Sequence, residues 1–152
     1  MPEPRQPAFR RAVLALSGGP ADTRVVRLVA EIARQGKAEL IGVHVVEIDW
    51  TLPLDADVAS GSEAAQQVLD VAEAAAEHVG VRLEPVLLQA RDVGAALIDE
   101  AAERAADLLV LGIAYRRRFG GDFAIGRTIP YALKNAPCAV WVVREPMPEE
   151  GA

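Results

Sequence analysis

The residues with the clearest potential for chemistry lie in a loop between two apolar segments near the end of the chain. Residues 108–111 are apolar and end at Gly112, and the loop that follows carries three consecutive arginines, Arg116, Arg117 and Arg118. Gly126 and Thr128 then lead into a short helical segment. A strand, a glycine-bearing loop and a helix N-terminus together favour anion binding, because free backbone N–H groups and the positive end of the helix dipole meet at one place. The stretch therefore predicts a site for a small anion, with the arginines as further phosphate partners.

Each of these features also has a purely structural interpretation. Gly120 and Gly121 permit turns whether or not they cradle a phosphate. Loop arginines are usually solvated, since charged side chains seldom leave water without a partner. Thr128 has the residue type of a helix N-cap, and Pro130 is tolerated in the first turn of a helix. Capping and phosphate binding are compatible roles, so both interpretations stay open.

No other residues have the types and spacing of a catalytic or metal centre. His44 lies between valines in a predicted strand, which favours a hydrogen-bonded structural histidine, and His78 lies on a predicted helix. Neither has a partner at ligand spacing, so we expect no metal site. Asp55 and Asp57 are interpreted as solvated loop charges. Ser17 has no histidine placed to activate it and is interpreted first as a turn residue, so we expect no catalytic residues.

Length, composition and charge limit the class of protein. The chain has 152 residues, of which 51% are hydrophobic and 25% charged, enough for one domain with a full core and too few for two ordinary domains. The formal net charge of -6 argues against a nucleic-acid binder, which normally presents a basic face. The arginine triplet is a local exception, so the expected anionic ligand is small.

The cysteine count and the apolar runs indicate the compartment. The single cysteine, Cys138, excludes an intrachain disulfide and fits a reducing compartment. It directly precedes a predicted strand, so we interpret it as a small buried apolar residue rather than a reactive thiol. The first residues carry charges and prolines where a signal peptide would be apolar. No apolar run approaches the roughly 18 residues needed to cross a bilayer. We therefore expect a cytoplasmic protein with no membrane insertion.

The elements that must position the loop alternate along the chain. Apolar runs predict five strands at residues 12–16, 40–48, 81–88, 108–111 and 139–143, and the segments between them predict four helices. Asp22, Ser62 and Asp92 are the candidate caps of the first three helices. Fully apolar strands joined by helical crossovers predict an α/β fold, with one doubly wound five-stranded parallel sheet and helices on both faces. Ligands of such sheets lie at the carboxyl ends of the strands, where the strand order reverses.

Several segments together resemble the universal stress protein (UspA-like) family. They are AVLALSGG after the N-terminus, AELIGVHVVE after the first helix, AADLLVLG, and the run from RRFG to KNAPCAVWVV. The resemblance extends over residues 11–144. The RRRFG variant is similar to UspA-like domains found beside or fused to amino-acid permeases. The resemblance implies a Rossmann-like fold of the adenine nucleotide alpha hydrolase type.

The resemblance also implies an adenine-nucleotide site, with ATP or AMP as ligand and the need for Mg²⁺ left open. Nucleotide-binding members carry a strand-one aspartate that reads the adenine, a small apolar residue after the second strand, and a loop of the form G-2x-G-9x-G-[S/T]. This chain keeps the apolar residue and two of the three glycines, but Ser17 stands at the aspartate position, and Tyr115 at that of the second glycine. Arg127 stands at the [S/T] position, and the loop is one residue longer. The predicted nucleotide-binding residues are Ser17, Gly18, Val45, Gly112, Arg116, Arg117, Arg118, Gly126, Arg127 and Thr128.

The last predicted strand suggests a second copy of the chain as a partner. Residues 139–143 (AVWVV) are apolar throughout and are followed by Pro146 and Pro148. A bare edge strand of this composition is an aggregation hazard, which pairing with the same strand of a second copy removes. The resemblance implies the same homodimer. Trp141 is then either an interface anchor or an ordinary core residue.

These features lead to one domain organisation and three functional hypotheses. We expect flexible tails at residues 1–10 and 146–152 around a UspA-like domain at 11–145. The first hypothesis is a cytoplasmic dimer that binds an adenine nucleotide to signal or to regulate a partner such as a transporter. The second is a nucleotide-free interaction module of the same fold with a degraded pocket. The third, a slow nucleotide hydrolase, is disfavoured because a catalytic base and carboxylate are missing.

Overall fold

The computed structural model describes residues 6–53, 55, 62–115 and 126–147, and it alternates strand and helix as predicted. The elements are β1 (Arg11–Leu16), α1 (Ala21–Gly36), β2 (Glu39–Glu47), α2 (Glu63–Val79), β3 (Leu83–Ala90), α3 (Val93–Glu103), β4 (Leu108–Ile113), α4 (Thr128–Asn135) and β5 (Ala139–Arg144). The strands form one parallel sheet in the order β3-β2-β1-β4-β5. The predicted doubly wound parallel sheet is confirmed. Its order reverses between β1 and β4.

Each face of the sheet carries its own hydrophobic core. Along β1, Leu14 and Leu16 contribute to the core shared with α1 and α2, whereas Val13 contributes to the core on the opposite face, shared with α3 and α4. This division follows from the two-residue period of a strand, which sends successive side chains to opposite faces. Strand β1 therefore has helices on both sides.

The packed part of the chain begins before β1. The side chain of Phe9 is 3% exposed, and its ring contacts Trp141 edge to face, with centroids 5.7 Å apart. The Arg10 amide donates to the carboxylate of Asp107 at 2.9 Å. Residues 9 and 10, which the sequence placed in a flexible tail, are therefore held by the fold. Trp141 packs partly buried against the core, which supports the second of its two interpretations.

The strands and helices depart from prediction mainly at their ends. Ser62 caps α2 as predicted, accepting a hydrogen bond from the Ala65 amide at 3.2 Å. The helix ends at Gly80, whose φ of 86° is the left-handed conformation that glycine favours. The Val81 amide still donates to the Ala76 carbonyl at 3.0 Å, so Val81 belongs to the helix end. Strand β3 consequently begins at Leu83, two residues later than predicted.

The two edges of the sheet have different compositions. Strand β5 lies at one edge, as predicted, and β3 lies at the other. Strand β3 contains Pro85, which pairs in register with Gly42 of β2 and has no amide hydrogen to donate. Strand β5 contains no proline, and its Val142 side chain is 42% exposed. None of the helices in the described part of the chain is long and apolar enough to cross a membrane.

Candidate functional site

A largely apolar cavity of about 200 Å³ lies at the carboxyl ends of β1, β2 and β4. Its apolar walls include Ala15, Val43, Val45, Leu97, Leu111 and Ile129. The polar side chains among the described lining residues are those of Ser17 and Thr128. Ligand pockets commonly combine apolar walls with a few polar groups that fix orientation. The volume suits one flat ring system, so any sugar or phosphate attached to that ring must lie outside the cavity.

A second cavity of about 200 Å³ adjoins the first, and both are lined by Val93 and Thr128. Charged groups of the second cavity come from Glu47 at the end of β2, Asp92 before α3, and Arg127 before α4. The Nη2 atom of Arg127 lies 3.7 Å from Oε1 of Glu47, and the Arg127 side chain is 90% exposed. An ion pair so exposed contributes little to stability. Arg127 can therefore leave Glu47 for an anionic ligand at small cost.

The start of α4 differs by one residue from prediction. Thr128 was predicted to be the N-cap, but it is the first helical residue, and Arg127 is the N-cap without a side-chain capping hydrogen bond. The reason is that the Tyr131 amide donates to the Arg127 carbonyl at 3.2 Å, so helical bonding begins there. The preceding Gly126 has a φ of 79°. The first N–H groups of a helix have no acceptor within it. In α4 these are the Thr128 and Ile129 amides, because Pro130 has no N–H, and these two amides give the turn the character of an anion site beside the second cavity.

The two adjoining cavities form one crevice along the carboxyl edge of the sheet, and Ser17 marks its β1 end. This end is organised by Asp22, which was predicted to cap α1. Asp22 instead lies inside α1, and Pro20 is the N-cap, with no side-chain capping hydrogen bond. Asp22 is 7% exposed as a residue, and its carboxylate accepts from the Ser17 amide at 3.1 Å, the Ser17 hydroxyl at 3.1 Å and the Gly18 amide at 2.8 Å. Asp22 therefore accepts hydrogen bonds from the loop that precedes α1 and does not cap the helix.

His44 and Tyr115 lie near the site but line neither of the two cavities. His44 forms a 2.8 Å hydrogen bond through Nδ1 to the Leu16 carbonyl, which only accepts, so Nδ1 is the donor. This confirms the structural interpretation of His44. The Tyr115 ring lies under the guanidinium of Arg144, 5.3 Å from its Cζ, and is not among the residues that line either cavity. Tyr115 therefore does not fill the cavity.

Close packing explains why residue 112 is a glycine, a reason that the sequence did not reveal. A Cβ atom at Gly112 would lie 2.8 Å from Cγ2 of Val25 on α1, closer than real Cβ contacts. The glycine thus allows β4 and α1 to approach each other next to the cavity. This requirement is independent of any ligand, although Gly112 also lines the cavity.

Cys138 lies away from the cavities, next to the start of β5 at the amino edge of the sheet. Its side chain is half-buried and packs against the core shared with α3 and α4. Burial, and after it the negative charge of Asp107, raises the pKa of the Cys138 thiol. The thiol therefore stays protonated near neutral pH, as expected for a packing residue, although it is less buried than predicted.

The family model of the Universal stress protein family matches residues 8–144. This chain belongs to the universal stress protein family. The family assignment agrees with the sheet order and the position of the crevice, and it confirms the resemblance at the level of the family.

Two relatives match most of this chain. A universal stress protein of Methanocaldococcus jannaschii is 24% identical over 150 residues, which cover 93% of this chain and 85% of that protein. The sensor protein KdpD of Mycobacterium tuberculosis is 34% identical over 119 residues, which cover 78% of this chain. The match spans only 12% of that sensor's own length.

Solved universal stress protein structures share the fold. A universal stress protein crystallised with cAMP superimposes with a TM-score of 0.67 at 21% identity, covering 90% of this chain and 97% of that one. The universal stress protein of Archaeoglobus fulgidus in complex with dAMP gives a TM-score of 0.68 at 22% identity, covering 89% and 98%. At these identities the similarity establishes the common fold.

The universal stress protein fold brings together part of the predicted site. Ser17, Val45, Gly112 and Thr128 line the apolar cavity, and Arg127 lines the adjoining one. Gly126 precedes the first turn of α4, and Gly18 donates to Asp22. The three arginines Arg116, Arg117 and Arg118, together with Gly120, Gly121 and Asp57, lie outside the described residues.

Sequence reasoning missed two acidic residues and one helix at the site. Glu47 was assigned only to a strand, although its position at the carboxyl end of β2 is a usable signal. The walls from α3, Val93 and Leu97, had no signal in the sequence beyond helical periodicity. Asp22 was noticed only as a cap, whereas its distance of five positions from Ser17 is what allows it to bind the loop. In the described part of the chain, no cluster of three or more His, Cys, Asp or Glu side chains has the arrangement of a metal site.

Proposed function

We propose that this protein is a cytoplasmic universal stress protein that binds an adenine nucleotide and uses the occupied state to signal or to regulate a partner. The observation that carries the proposal is the apolar cavity at the switch point of the sheet, directly beside the leading turn of α4. Family structures crystallised with cAMP and dAMP support the choice of an adenine nucleotide. AMP and ATP are the ligands that we propose, with Mg²⁺ as a variable of the test.

In the proposed binding mode, the adenine enters the apolar cavity and the phosphate lies at α4. Val45 and Leu97 contact the ring, since both are cavity walls. Thr128 connects the two cavities and can donate its hydroxyl to the ribose or phosphate. Arg127 exchanges Glu47 for the phosphate. Gly126, and the arginines 116–118 predicted from the sequence, complete the phosphate side.

The proposed role is binding without catalysis. Ser17 and Thr128, the polar side chains among the described residues lining the apolar cavity, are not general bases near neutral pH. We propose that the protein acts as a homodimer paired through β5, because this edge strand is apolar and partly exposed. A transporter or signalling protein is the proposed partner.

Calorimetry with AMP, ADP, ATP, cAMP and cyclic dinucleotides, each with and without Mg²⁺, tests the proposal. Val45→Phe fills the cavity and should weaken adenine-nucleotide binding by at least about tenfold, because the ring loses its place. Val71→Phe is the matched control, since the side chain of Val71 is 42% exposed on α2. Equal nucleotide affinities of the two variants would show that the adenine does not bind in the cavity.

The phosphate side is tested separately. Arg127→Ala, and Arg116→Ala combined with Arg118→Ala, should weaken nucleotide binding and flatten its salt dependence. Adenosine, which has no phosphate, should bind the wild type and these variants equally. Unchanged affinity for AMP in both variants would mean that the arginines are surface residues only.

The second candidate function is a nucleotide-free interaction module. It is favoured by the Asp22 carboxylate, which already occupies loop amides at the β1 end of the crevice. Absence of binding by any of these nucleotides at millimolar concentration, with the dimer intact in sedimentation experiments, would establish this alternative. Phosphate release above the buffer background that Arg117→Ala abolishes would instead revive a slow hydrolase.

A further inference from the structure

The β1 end of the crevice already contains an anion that belongs to the protein. The Asp22 carboxylate accepts hydrogen bonds from the Ser17 and Gly18 amides at 3.1 and 2.8 Å, and its side chain is almost fully buried. Backbone amides of this kind, after a strand and before a helix, are the groups that otherwise bind a ligand phosphate. Asp22 holds the same place with a carboxylate.

The hydroxyl of Ser17 is oriented by the same carboxylate. A hydroxyl has one proton, and Ser17 gives it to Oδ1 of Asp22 at 3.1 Å, because a carboxylate only accepts. The Ser17 oxygen also accepts from the Gly19 amide at 3.1 Å. Ser17 therefore has acceptor capacity and no proton left for a ligand. A ligand group next to Ser17 must be a hydrogen-bond donor.

We propose that Asp22 sets the direction and charge of the ligand: it closes the β1 end of the crevice to phosphate, so the site takes a nucleotide whose anionic groups all lie at α4. This proposal rests on the proposed nucleotide function and deepens it. The donor-bearing part of the ligand, an amino group or a ribose hydroxyl, faces Ser17. A dinucleotide that must place a second phosphate over β1 is rejected.

Two physical effects act in the same direction. The loop amides are saturated, so a phosphate at the β1 end would find no free donors among those that Asp22 occupies. A phosphate there would also lie within a few ångströms of a buried carboxylate, and like charges at short range in a partly desolvated site repel strongly. At the opposite end, Arg127 and the first turn of α4 present positive charge.

The test follows backbone amide signals by NMR while inorganic phosphate is added. In the wild type, phosphate should leave the Ser17 and Gly18 signals unchanged. In Asp22→Ala it should shift both signals with saturation, at an affinity at least about tenfold above the wild type, because the freed amides take the phosphate. Asp70→Ala is the charge-matched control, since Asp70 is exposed on α2 and accepts a bond from the Gln66 side chain. It should behave as the wild type does.

Asp22→Asn provides a second variant in case the alanine variant does not fold. The amide oxygen keeps one acceptor for the loop while the charge is removed, so phosphate should again shift the Ser17 and Gly18 signals, less strongly than in Asp22→Ala. Phosphate-dependent shifts of equal size in wild type and variants would overturn the proposal. So would variants that fold and show no phosphate binding at these amides.

The same titration with AMP separates this proposal from the proposed function. AMP should shift the Thr128 signal in the wild type. If AMP has no effect but phosphate binds at Ser17 and Gly18 only in the Asp22 variants, Asp22 does close the β1 end to phosphate and the proposed nucleotide function is wrong. If AMP binds and phosphate reaches Ser17 and Gly18 in the wild type, the nucleotide function is supported, and the proposal that Asp22 closes the β1 end is wrong.

Discussion

Two glycines with the same backbone conformation allow a controlled test of the phosphate side of the site. Gly126 has a φ of 79° and Gly80 a φ of 86°, and a Cβ atom at either position would meet nothing within 4 Å. Alanine at either position therefore adds backbone strain without a steric clash. The left-handed conformation costs a residue with a Cβ about 1–2 kcal/mol. Both Gly126→Ala and Gly80→Ala should lose about that much unfolding free energy.

The two variants differ in where the strain acts. Gly80 ends α2 at the amino edge of the sheet, away from the crevice, whereas Gly126 precedes the first turn of α4. Thermal unfolding should shift down by about 2–8 °C in both variants, at roughly 2–4 °C per kcal/mol for a chain of this size. In calorimetry, AMP affinity should fall several-fold in Gly126→Ala and stay unchanged in Gly80→Ala.

Two results would contradict this reasoning. Full stability of both variants would show that the left-handed conformations impose no strain. A Gly126→Ala variant that loses stability but binds AMP as well as Gly80→Ala does would show that the leading turn of α4 does not hold the phosphate. The comparison is informative because the two substitutions are chemically identical and differ only in position.

Two further predictions concern the amino edge of the sheet. Asp107→Asn should destabilise the fold by about 1–2 kcal/mol at pH 7, because the exposed carboxylate accepts from the Arg11 amide at 2.9 Å. Burial alone would raise the pKa of Asp107, but the amides that donate to its carboxylate outweigh burial and lower the pKa. The contribution of this carboxylate to the unfolding free energy is therefore present above about pH 4 and is lost as the pH falls through the lowered pKa. Denaturant titrations of the wild type and Asp107→Asn should accordingly converge in acid. Phe9→Ala should cost about 3–4 kcal/mol in the same assay, since the ring is 3% exposed, whereas a truly flexible tail would lose nothing.

The sequence predicted the fold well because the signals for a doubly wound sheet are local. Each strand is a short apolar run, and each helix shows helical periodicity between polar ends. Because a helix connects each strand to the next, the strands are expected to pair in parallel. The order of the strands and the crevice between β1 and β4 then follow from the family's topology. The element ends were less accurate, since Val81 still bonds to the preceding helix, and Arg127 rather than Thr128 is the N-cap of α4.

The parts of the site that escaped prediction depend on contacts across the sequence. Phe9 has no periodic neighbours, and it is buried by Trp141, which lies near the other end of the chain. Asp22 has the residue type and position of a helix cap, so only the three-dimensional path of the loop shows that its carboxylate turns back to Ser17 and Gly18. Glu47 and Arg127 meet only after β2 and α4 are placed beside each other.

The unequal edges of the sheet determine how far self-association can proceed. Strand β5 offers an uninterrupted row of backbone donors and acceptors, whereas Pro85 leaves a gap in the donors of β3. If the proposed homodimer pairs through β5, the interrupted edge at β3 is a poor site for a further copy, and sheet-to-sheet assembly ends at a pair. Two sheet edges that could each pair with another copy would instead permit an open-ended filament. In the proposed homodimer, Pro85 would thus limit polymerisation from the sheet edge opposite β5.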